Sequence, residues 1–374
     1  MQKIYIAMAL LGVLGIGLFL FISIQPQTHT TPLPVLSQEK SEVVAPIEEK
    51  TVIPLEEKIG ALFMVGHWAH TPVASTTALL EKYHIGGVII MSAPEDADEV
   101  AQWIAQWQKV ASGTLLISID QEGGPVTRLK GPSFTGTSQR KVTTATEAYA
   151  LGKERGKELA ALGINMNFAP VLDTAKNPES FMYTRVFPDV EKSATFANEM
   201  IRGMASQGVV GVAKHFPGHD DTADDSHHTL PTVQKTKEEL ALFTKPFAEL
   251  IKSGQPKALM TAHVLFPKID SSPATLSSFF LTDYLRNTLG FSGVVFTDDM
   301  SMDAIDTNYG LGPASVRALN AGADIVLFAA EPEKVIEGIR AVTDAISTDV
   351  LSEKRISESY ERIMLLQAQE NRSN

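Results

Sequence analysis

The sequence predicts an α/β fold, a single (β/α)8 TIM barrel that follows an N-terminal transmembrane segment and a linker. Eight short apolar, β-branched segments occur from residue 61 onward, and longer amphipathic stretches separate them. They fall within roughly 300 residues, which suits one barrel better than an open doubly wound sheet. Polar residues end most of these segments, and barrels of this kind place their functional side chains there.

The first 54 residues precede the predicted barrel. Residues 4–24 carry no charge, and as a helix they are long enough to span the roughly 30 Å of a bilayer's hydrocarbon core. No pair of small residues follows them, so we expect residues 1–24 to be an uncleaved anchor, with a removed signal segment as the alternative. Residues 25–54, rich in Pro, Thr and Glu, are expected to be a flexible linker, and residues 55–374 the barrel. The barrel would lie outside the cytoplasm.

The predicted strands share one pattern, a short apolar run of the kind buried in parallel sheets. In chain order they are Ala61–Val65, Gly87–Met91, Leu115–Asp120, Asn165–Val171, Val209–Lys214, Ala258–His263, Gly293–Asp298 and Ala323–Ala329. Two of the helices between them begin with capping boxes, at Thr144 with Glu147 and at Thr236 with Glu239. Residues 351–369 are expected to form a terminal helix.

The composition excludes several classes of function. The 374 residues are 44% hydrophobic and 20% charged, which allows a sizeable core. The formal net charge of −12 argues against nucleic acid or an anionic membrane surface as a partner, because both bind clustered Lys and Arg. The absence of cysteine excludes disulfides, thiolate metal ligands and a cysteine nucleophile. We expect a monomer.

Polar residues at the predicted strand ends mark the candidate site. In order they are Asp120, Asp173, Lys214 with His215, His263 and Asp298. Because the carboxyl ends of barrel strands meet at one face, we expect them to surround a common pocket. The densest stretch is residues 214–227, in which KHFPGH is followed by an acidic loop. A loop at a strand end is where a rigid scaffold presents reactive groups.

Four motifs occur in an order and in strand contexts that a known family shares. They are SIDQEGGPVTR at 118–128, GINMNFAPVLD at 163–173, KHFPGHDDTADDSH at 214–227 and GVVFTDDMS at 293–301. Together they resemble family 3 glycoside hydrolases, above all the bacterial β-N-acetylglucosaminidases that act on peptidoglycan fragments. The resemblance implies a retaining exo-enzyme that needs no cofactor and hydrolyses terminal N-acetylglucosamine from a glycan or muropeptide.

The nucleophile is expected to be Asp298. This residue ends an apolar strand after Thr297, so its carboxylate would face the barrel mouth, where a retaining glycosidase needs a group to attack the anomeric carbon. The family pattern points to the first Asp after Ser or Thr, which is Asp298 rather than Asp299. Capping of the following helix is the alternative role, and it suits Asp299 better.

The acid/base group is expected to be His227, oriented by Asp225. Residues two apart in an extended loop face the same way, so Asp225 can fix the imidazole tautomer. The other ring nitrogen then protonates the leaving oxygen and later deprotonates water. The resemblance gives the matching Asp-x-His pair this role, whereas His228 would face away.

The resemblance also implies a set of substrate-binding residues: Asp120, Arg128, Arg185, Lys214 and His215. His263, at its strand end, is expected to line the same site and is counted with them. A surface ion pair is the alternative for Arg185, and a satisfied core histidine is the alternative for His263. Two residues depart from the family pattern, Pro125 where Arg is common and Asp220 where Gly is usual. Pro125 stiffens its loop and Asp220 loses the freedom of Gly, so the aglycone preference stays open.

No metal is expected, although residues 215–227 hold several potential zinc ligands. His215 and His219 have helical spacing, but Pro217 and Gly218 break the helix that would bring both onto one face. Two other functions stay open, a phosphorylase of the same family and a non-catalytic barrel that binds wall glycans. The presence of both expected catalytic groups favours hydrolysis over the second of these.

Overall fold

The computed structural model describes residues 53–220, 229–329 and 333–370. The chain divides into two units, 1–51 and 52–374, and every described residue belongs to the second. This unit is a closed barrel of eight parallel strands in chain order, so the predicted (β/α)8 TIM barrel is confirmed. The strands are β1 Phe63–His67, β2 Gly87–Ile90, β3 Leu116–Ile119, β4 Met166–Asn167, β5 Val210–Phe216, β6 Ala258–Thr261, β7 Val294–Asp299 and β8 Ile325–Phe328.

Helices connect the strands and form the outer layer. The α-helices are α1 Leu55–Ala61, α2 Val73–Tyr83, α3 Asp98–Gln108, α4 Ala145–Ala161, α5 Ser193–Ala205, α6 Lys237–Phe243, α7 Lys245–Lys252, α8 Asp303–Tyr309, α9 Leu311–Ala321, α10 Glu333–Ser347 and α11 Glu353–Glu370. A π-helix spans Phe279–Thr288, and short 3-10 turns lie at Gln139–Lys141, Val190–Lys192 and Ala274–Leu276.

The predicted elements agree with the observed ones to within a few residues. Ala61 ends α1 instead of opening β1, because that helix leads directly into the strand. Both capping boxes are present, and each closes through the carboxylate three residues on. The Thr144 amide donates to Glu147 at 3.2 Å, and the Thr236 amide donates to Glu239 at 2.8 Å. The expected terminal helix is α11.

The barrel interior is filled by side chains, as in a packed core. Phe168, just after β4, and Phe296 of β7 meet edge to face with ring centroids 5.4 Å apart. These strands are not neighbours in the barrel, so their contact crosses its interior. At the seam between β1 and β8, a Cβ on Gly66 would lie 2.1 Å from the Ala329 carbonyl oxygen. Only glycine allows these two strands to approach so closely.

The expected anchor, residues 1–24, and nearly all of the expected linker lie outside the described residues. Among the helices that the structure does describe, none combines the length and the apolar character that a membrane span requires.

Candidate active site

The residues predicted from the strand ends come together at the carboxyl-terminal face of the barrel. Asp120 follows β3 directly, Lys214 and His215 lie in β5, and Asp298 lies in β7. The pairing of β5 with β6 shifts register between Ala213 and Phe216, the stretch that contains Lys214 and His215. Such irregularities re-aim side chains and are common beside active sites.

A buried cluster of charges lies on one side of this face. Lys214 Nζ is 2.6 Å from Asp120 Oδ1 and 2.7 Å from Glu122 Oε1. Arg185 donates two hydrogen bonds to the Glu122 carboxylate, from Nε at 3.0 Å and from Nη2 at 2.8 Å. Arg128 approaches the other oxygen of Asp120 at 3.4 Å. The cluster therefore holds three cations and two carboxylates in one connected network.

In this cluster, burial and the attraction between opposite charges shift the pKa values in opposite directions, and the attraction has the larger effect. Burial by itself would raise the pKa of Glu122, but Arg185 and Lys214 hold it far below its usual range. Burial would lower the pKa of Lys214, but Asp120 and Glu122 raise it above its ordinary value. Both groups stay charged at neutral pH. The Glu122 side chain is 1% exposed and that of Arg185 12%, so Arg185 is not part of a surface ion pair.

Glu122 was missed by the site prediction, although it lies inside the SIDQEGG motif. No local pattern reveals its role, because its partners are distant in sequence: Arg185 lies 63 residues away along the chain. In the sequence, the one indication of a role for Glu122 is that it is a second carboxylate two residues after Asp120.

A second cluster is organised by Asp173, which also stands outside the expected catalytic and binding sets. Asp173 Oδ2 accepts hydrogen bonds from the backbone amide of His215 at 2.9 Å and from its Nδ1 at 2.6 Å. Oδ1 accepts from the His219 amide at 2.7 Å. Burial would raise the pKa of Asp173, but these neighbours lower it. The ionised carboxylate fixes the His215 proton on Nδ1 and leaves Nε2 for another contact.

The turn at Pro217 and Gly218 breaks the helical path, as predicted, yet it still brings the two histidines together. The rings of His215 and His219 meet edge to face with centroids 5.3 Å apart. Their ligand atoms and those of Asp173 lie within 4.8 Å of one another, a spacing that can hold a metal ion. The sequence argument that the turn keeps the two histidines from sharing one site is therefore wrong. A metal here would compete with the proton that His215 donates to Asp173.

Asp298 and Asp299 have different surroundings, although they are adjacent in β7. One carboxylate oxygen of Asp299 accepts from the Ser301 hydroxyl, from the Ser301 amide at 2.9 Å and from the Ala329 amide at 2.9 Å. Its carboxylate thus holds the chain after β7 against the end of β8. In the described part of the chain, Asp298 has one hydrogen bond, from the Asp299 amide at 2.8 Å. Asp298 is the carboxylate available to a ligand.

The environment of Asp298 keeps it ionised. Burial would raise its pKa, but His215, His263, the Asp299 amide and Lys214 together lower it to about 2. His263 contributes from behind the pocket, since its Nε2 donates to the Asp299 carbonyl at 2.9 Å and its Nδ1 lies 2.9 Å from the Thr275 hydroxyl. Burial lowers the pKa of His263, which suits a neutral ring with one donor and one acceptor. This is the geometry of a satisfied core histidine.

The expected acid/base pair, His227 and Asp225, lies outside the described residues, as does His228. The loop is described up to Asp220, which adopts a positive φ of 56°. Glycine enters this left-handed region without strain, whereas aspartate enters it at some cost. Lys235 lies 3.3 Å from the Asp220 carboxylate.

The fold and the site define the class of protein. A parallel barrel with an ionised carboxylate at one strand end, facing buried acids and cations that can bind hydroxyl groups, is built to act on a sugar. The sequence comparison agrees, because residues 54–366 match the glycosyl hydrolase family 3 N terminal domain. The chain belongs to this family of glycoside hydrolases.

The chain is similar to proteins named as β-hexosaminidases and β-N-acetylglucosaminidases. The chain is 33% identical to the β-hexosaminidase A of Pseudoalteromonas piscicida over 77% of its own length and 54% of the relative. It superposes with a TM-score of 0.80 and 39% identity on a family 3 β-N-acetylglucosaminidase from Paenibacillus sp. FPU-7, covering 86% of this chain and 63% of that one. The chain thus spans between half and two thirds of these two proteins.

A third protein is matched over nearly its whole length. It is the β-N-acetylhexosaminidase of Beutenbergia cavernae, which superposes with a TM-score of 0.76 and 32% identity. The match covers 85% of this chain and 99% of that one.

Proposed function

We propose that the chain is a retaining exo-β-N-acetylglucosaminidase that removes terminal N-acetylglucosamine from peptidoglycan-derived fragments. The observation that carries the proposal is the contrast at the end of β7: Asp299 is engaged by three donors, while Asp298 remains ionised and available. The names of the relatives, β-hexosaminidase and β-N-acetylglucosaminidase, support the class of sugar. Peptidoglycan as the source of the substrate is supported by the motif resemblance.

The chemistry begins with the carboxylate of Asp298. With a pKa of about 2 it is fully charged at neutral pH, so it attacks the anomeric carbon without first losing a proton. The leaving oxygen takes its proton from His227, and water deprotonated by the same ring then cleaves the glycosyl-enzyme. Asp225 holds that ring in the required tautomer. Two inversions at one carbon give net retention.

The charged cluster supplies the hydrogen bonds that bind the sugar. Asp120 accepts hydrogen bonds from hydroxyl groups, and Lys214 and Arg128 donate to them. Glu122 keeps Arg185 and Lys214 in place, because it bonds both from a fully enclosed position. His215 is held by Asp173 through Nδ1, so its Nε2 can bind a further hydroxyl group. Hydrogen bonds of this kind can strengthen as the ring flattens toward the transition state.

The proposed location is outside the cytoplasm, with residues 1–24 as a membrane anchor and residues 25–54 as a tether. The support is the uncharged run 4–24 and the lack of a cleavage site after it. A coil of 30 residues has a root-mean-square reach of roughly 30 Å. Wall fragments close to the membrane would then lie within reach of the barrel.

The test of the activity is turnover of three aryl glycosides by the full chain. We expect the β-N-acetylglucosaminide to be hydrolysed, with the β-glucoside and β-xyloside far slower. Proton NMR of the first-formed sugar should show the β-anomer, as retention requires. Equal rates on the glucoside, or an α-anomer, would contradict the proposal. Formation of the sugar 1-phosphate in phosphate buffer would instead identify a phosphorylase.

A further inference from the structure

A cavity lies at the amino-terminal face of the barrel, at the opposite end from the candidate active site. Its walls include Lys257 just before β6, Phe291 just before β7, and Arg362, Leu365 and Leu366 of α11. We call it the α11 cavity. Its volume is about 310 Å³, at the lower end of the range for small-molecule sites.

Helix α11 creates this cavity by crossing the amino-terminal face of the barrel. Gln367 Nε2 donates to the carbonyl of Thr114, before β3, at 2.5 Å, and Arg362 Nη1 donates to Asp324, before β8, at 2.9 Å. Because β3 and β8 are not neighbours in the barrel, the helix passes over the strands between them. The α11 cavity is the space between this helix and the starts of β6 and β7.

A buried cluster beside the α11 cavity holds more positive charge than negative. Three guanidinium groups share the fully buried carboxylate of Asp324: Arg286 at 2.5 Å, Arg362 at 2.9 Å and Arg355 at 3.4 Å. Burial lowers the pKa of Arg286 and of Arg355, and Arg362 lowers both further, whereas Asp324 raises them. Arg286 also fixes the cavity wall, because its Nη1 donates to the Phe291 carbonyl at 3.1 Å.

Two cations can be reached from the α11 cavity. In the part of the chain that the structure describes, Arg362 donates from Nη1 alone, and its side chain is 29% exposed, so Nε and Nη2 can bind a ligand. Lys257 is exposed. No Asp or Glu lies among the described residues that line the cavity. This local excess of positive charge contrasts with the formal net charge of −12 of the whole chain.

The remaining wall of the α11 cavity is apolar. Phe291 and Leu366 are buried, but Leu365 is 63% exposed. Covering that side chain with an apolar group would remove it from water, which is favourable in proportion to the area covered. Apolar area beside unbalanced positive charge favours a ligand that has both an apolar body and an anionic head group.

We propose that the α11 cavity binds a small organic anion with an apolar body. The head group, a carboxylate or a phosphate, accepts hydrogen bonds from Arg362 and is attracted by Lys257. The apolar body covers Leu365 and packs beside Phe291. Substrate and anion bind without competing, because they occupy opposite ends of the barrel. The anion site does not depend on the proposed glycosidase function.

The experiment measures the Kd of three probes that share one apolar chain: hexanoate, hexyl phosphate and the uncharged hexanol. Each probe is titrated into the full chain by calorimetry. The test variants are Lys257→Glu and Leu365→Asp, both at exposed positions where substitution costs little stability. The matched control is Lys153→Glu, an exposed lysine on α4. A second control, Arg128→Gln, removes a cation from the carboxyl-terminal face.

We expect at least one anionic probe to bind more tightly than hexanol, and the tighter of the two identifies the head group. Lys257→Glu and Leu365→Asp should each raise its Kd about fivefold to tenfold. An exposed charge pair is worth up to about fivefold, and a reversed or added negative charge repels the anion. In 1 M salt, where the screening length is about 3 Å, the preference over hexanol should largely disappear. Lys153→Glu and Arg128→Gln should leave every Kd unchanged.

Four results would overturn the proposal. Two are the absence of binding by either anion and a Kd for hexanol equal to those of the anions. The third is an equal change of Kd in Lys257→Glu and Lys153→Glu. The fourth is weaker anion binding in Arg128→Gln with none in Lys257→Glu, which would move the anion to the carboxyl-terminal face. Thermal unfolding of each variant without probe verifies that it is folded, and Lys257→Glu decides the outcome if Leu365→Asp is not.

Discussion

Replacement of Glu122 by Gln tests whether the buried cluster organises the sugar site. The change keeps the size of the side chain but removes the charge that three donors share: Arg185 Nε at 3.0 Å, Arg185 Nη2 at 2.8 Å and Lys214 Nζ at 2.7 Å. One of the two oxygens becomes an NH2 group, which faces other N–H donors. Arg185 and Lys214 then lie beside an uncharged amide whose NH2 group repels them.

The size of the effect follows from the burial of these groups. Removing one member of a buried ion pair costs about 3 to 5 kcal/mol. Lys214 keeps its 2.6 Å contact with Asp120, so we expect the lower end of that range, about 3 kcal/mol. Because the barrel unit spans residues 52–374, its unfolding entropy is large, and this corresponds to a fall in Tm of roughly 4 to 5 °C. If the loosened cations also lose one charged hydrogen bond to the sugar, kcat/KM falls about 10- to 100-fold.

The assay is thermal unfolding together with turnover of the aryl β-N-acetylglucosaminide. Glu158→Gln is the control, because this half-buried carboxylate on α4 bonds the Thr135 amide outside the site. The pKa of Glu122 is lower in the folded than in the unfolded protein, so its stabilisation is present above about pH 4.3, the unfolded value, and is lost as pH falls toward the folded one. The stability gap between native protein and Glu122→Gln should therefore narrow below about pH 4.

Three outcomes would refute the reasoning. A Glu122→Gln protein with native Tm and native kcat/KM would show that Arg185 and Lys214 need no buried counter-charge. A stability gap that widens in acid would reverse the sign of the pKa shift. If Glu158→Gln lost as much Tm and kcat/KM as Glu122→Gln, the protein would be sensitive to the loss of any such carboxylate, and the effect would not be specific to the cluster.

Other predictions concern the catalytic groups and the location. Asp298→Ala should abolish turnover with Tm nearly unchanged, whereas Asp299→Ala should lower Tm because three donors lose their acceptor; the opposite pattern would move the nucleophile by one residue. His227→Ala should slow poor leaving groups roughly 10²- to 10⁴-fold more than activated aryl glycosides, with a milder effect for Asp225→Ala; equal losses would exclude the acid role. The full chain should fractionate with membranes and need detergent for release, and deletion of residues 1–27 should give a soluble, equally active protein; a native soluble protein beginning near residue 25 would show cleavage instead.

The sequence by itself determined the barrel and the position of its site. Each strand is a short run buried on both faces, so its apolar character is visible locally, without knowledge of its neighbours. Parallel closure then requires all carboxyl ends to share one face, which is why Asp120, Lys214, His215 and Asp298 were found from their place after or within a strand. The family motifs added roles to residues that this order had already brought together.

The tertiary structure decided which of these groups hold one another. Glu122 pairs with Arg185 from 63 residues away, and Asp173 holds His215 across 42 residues. Such contacts depend on barrel closure and on loop paths, which no local period encodes. The difference between Asp298 and Asp299 likewise comes in part from the Ala329 amide just after β8, 30 residues away along the chain. The local sequence pattern predicts where in the fold a polar residue lies. The free energy of its charged form depends on the partners that folding brings to it.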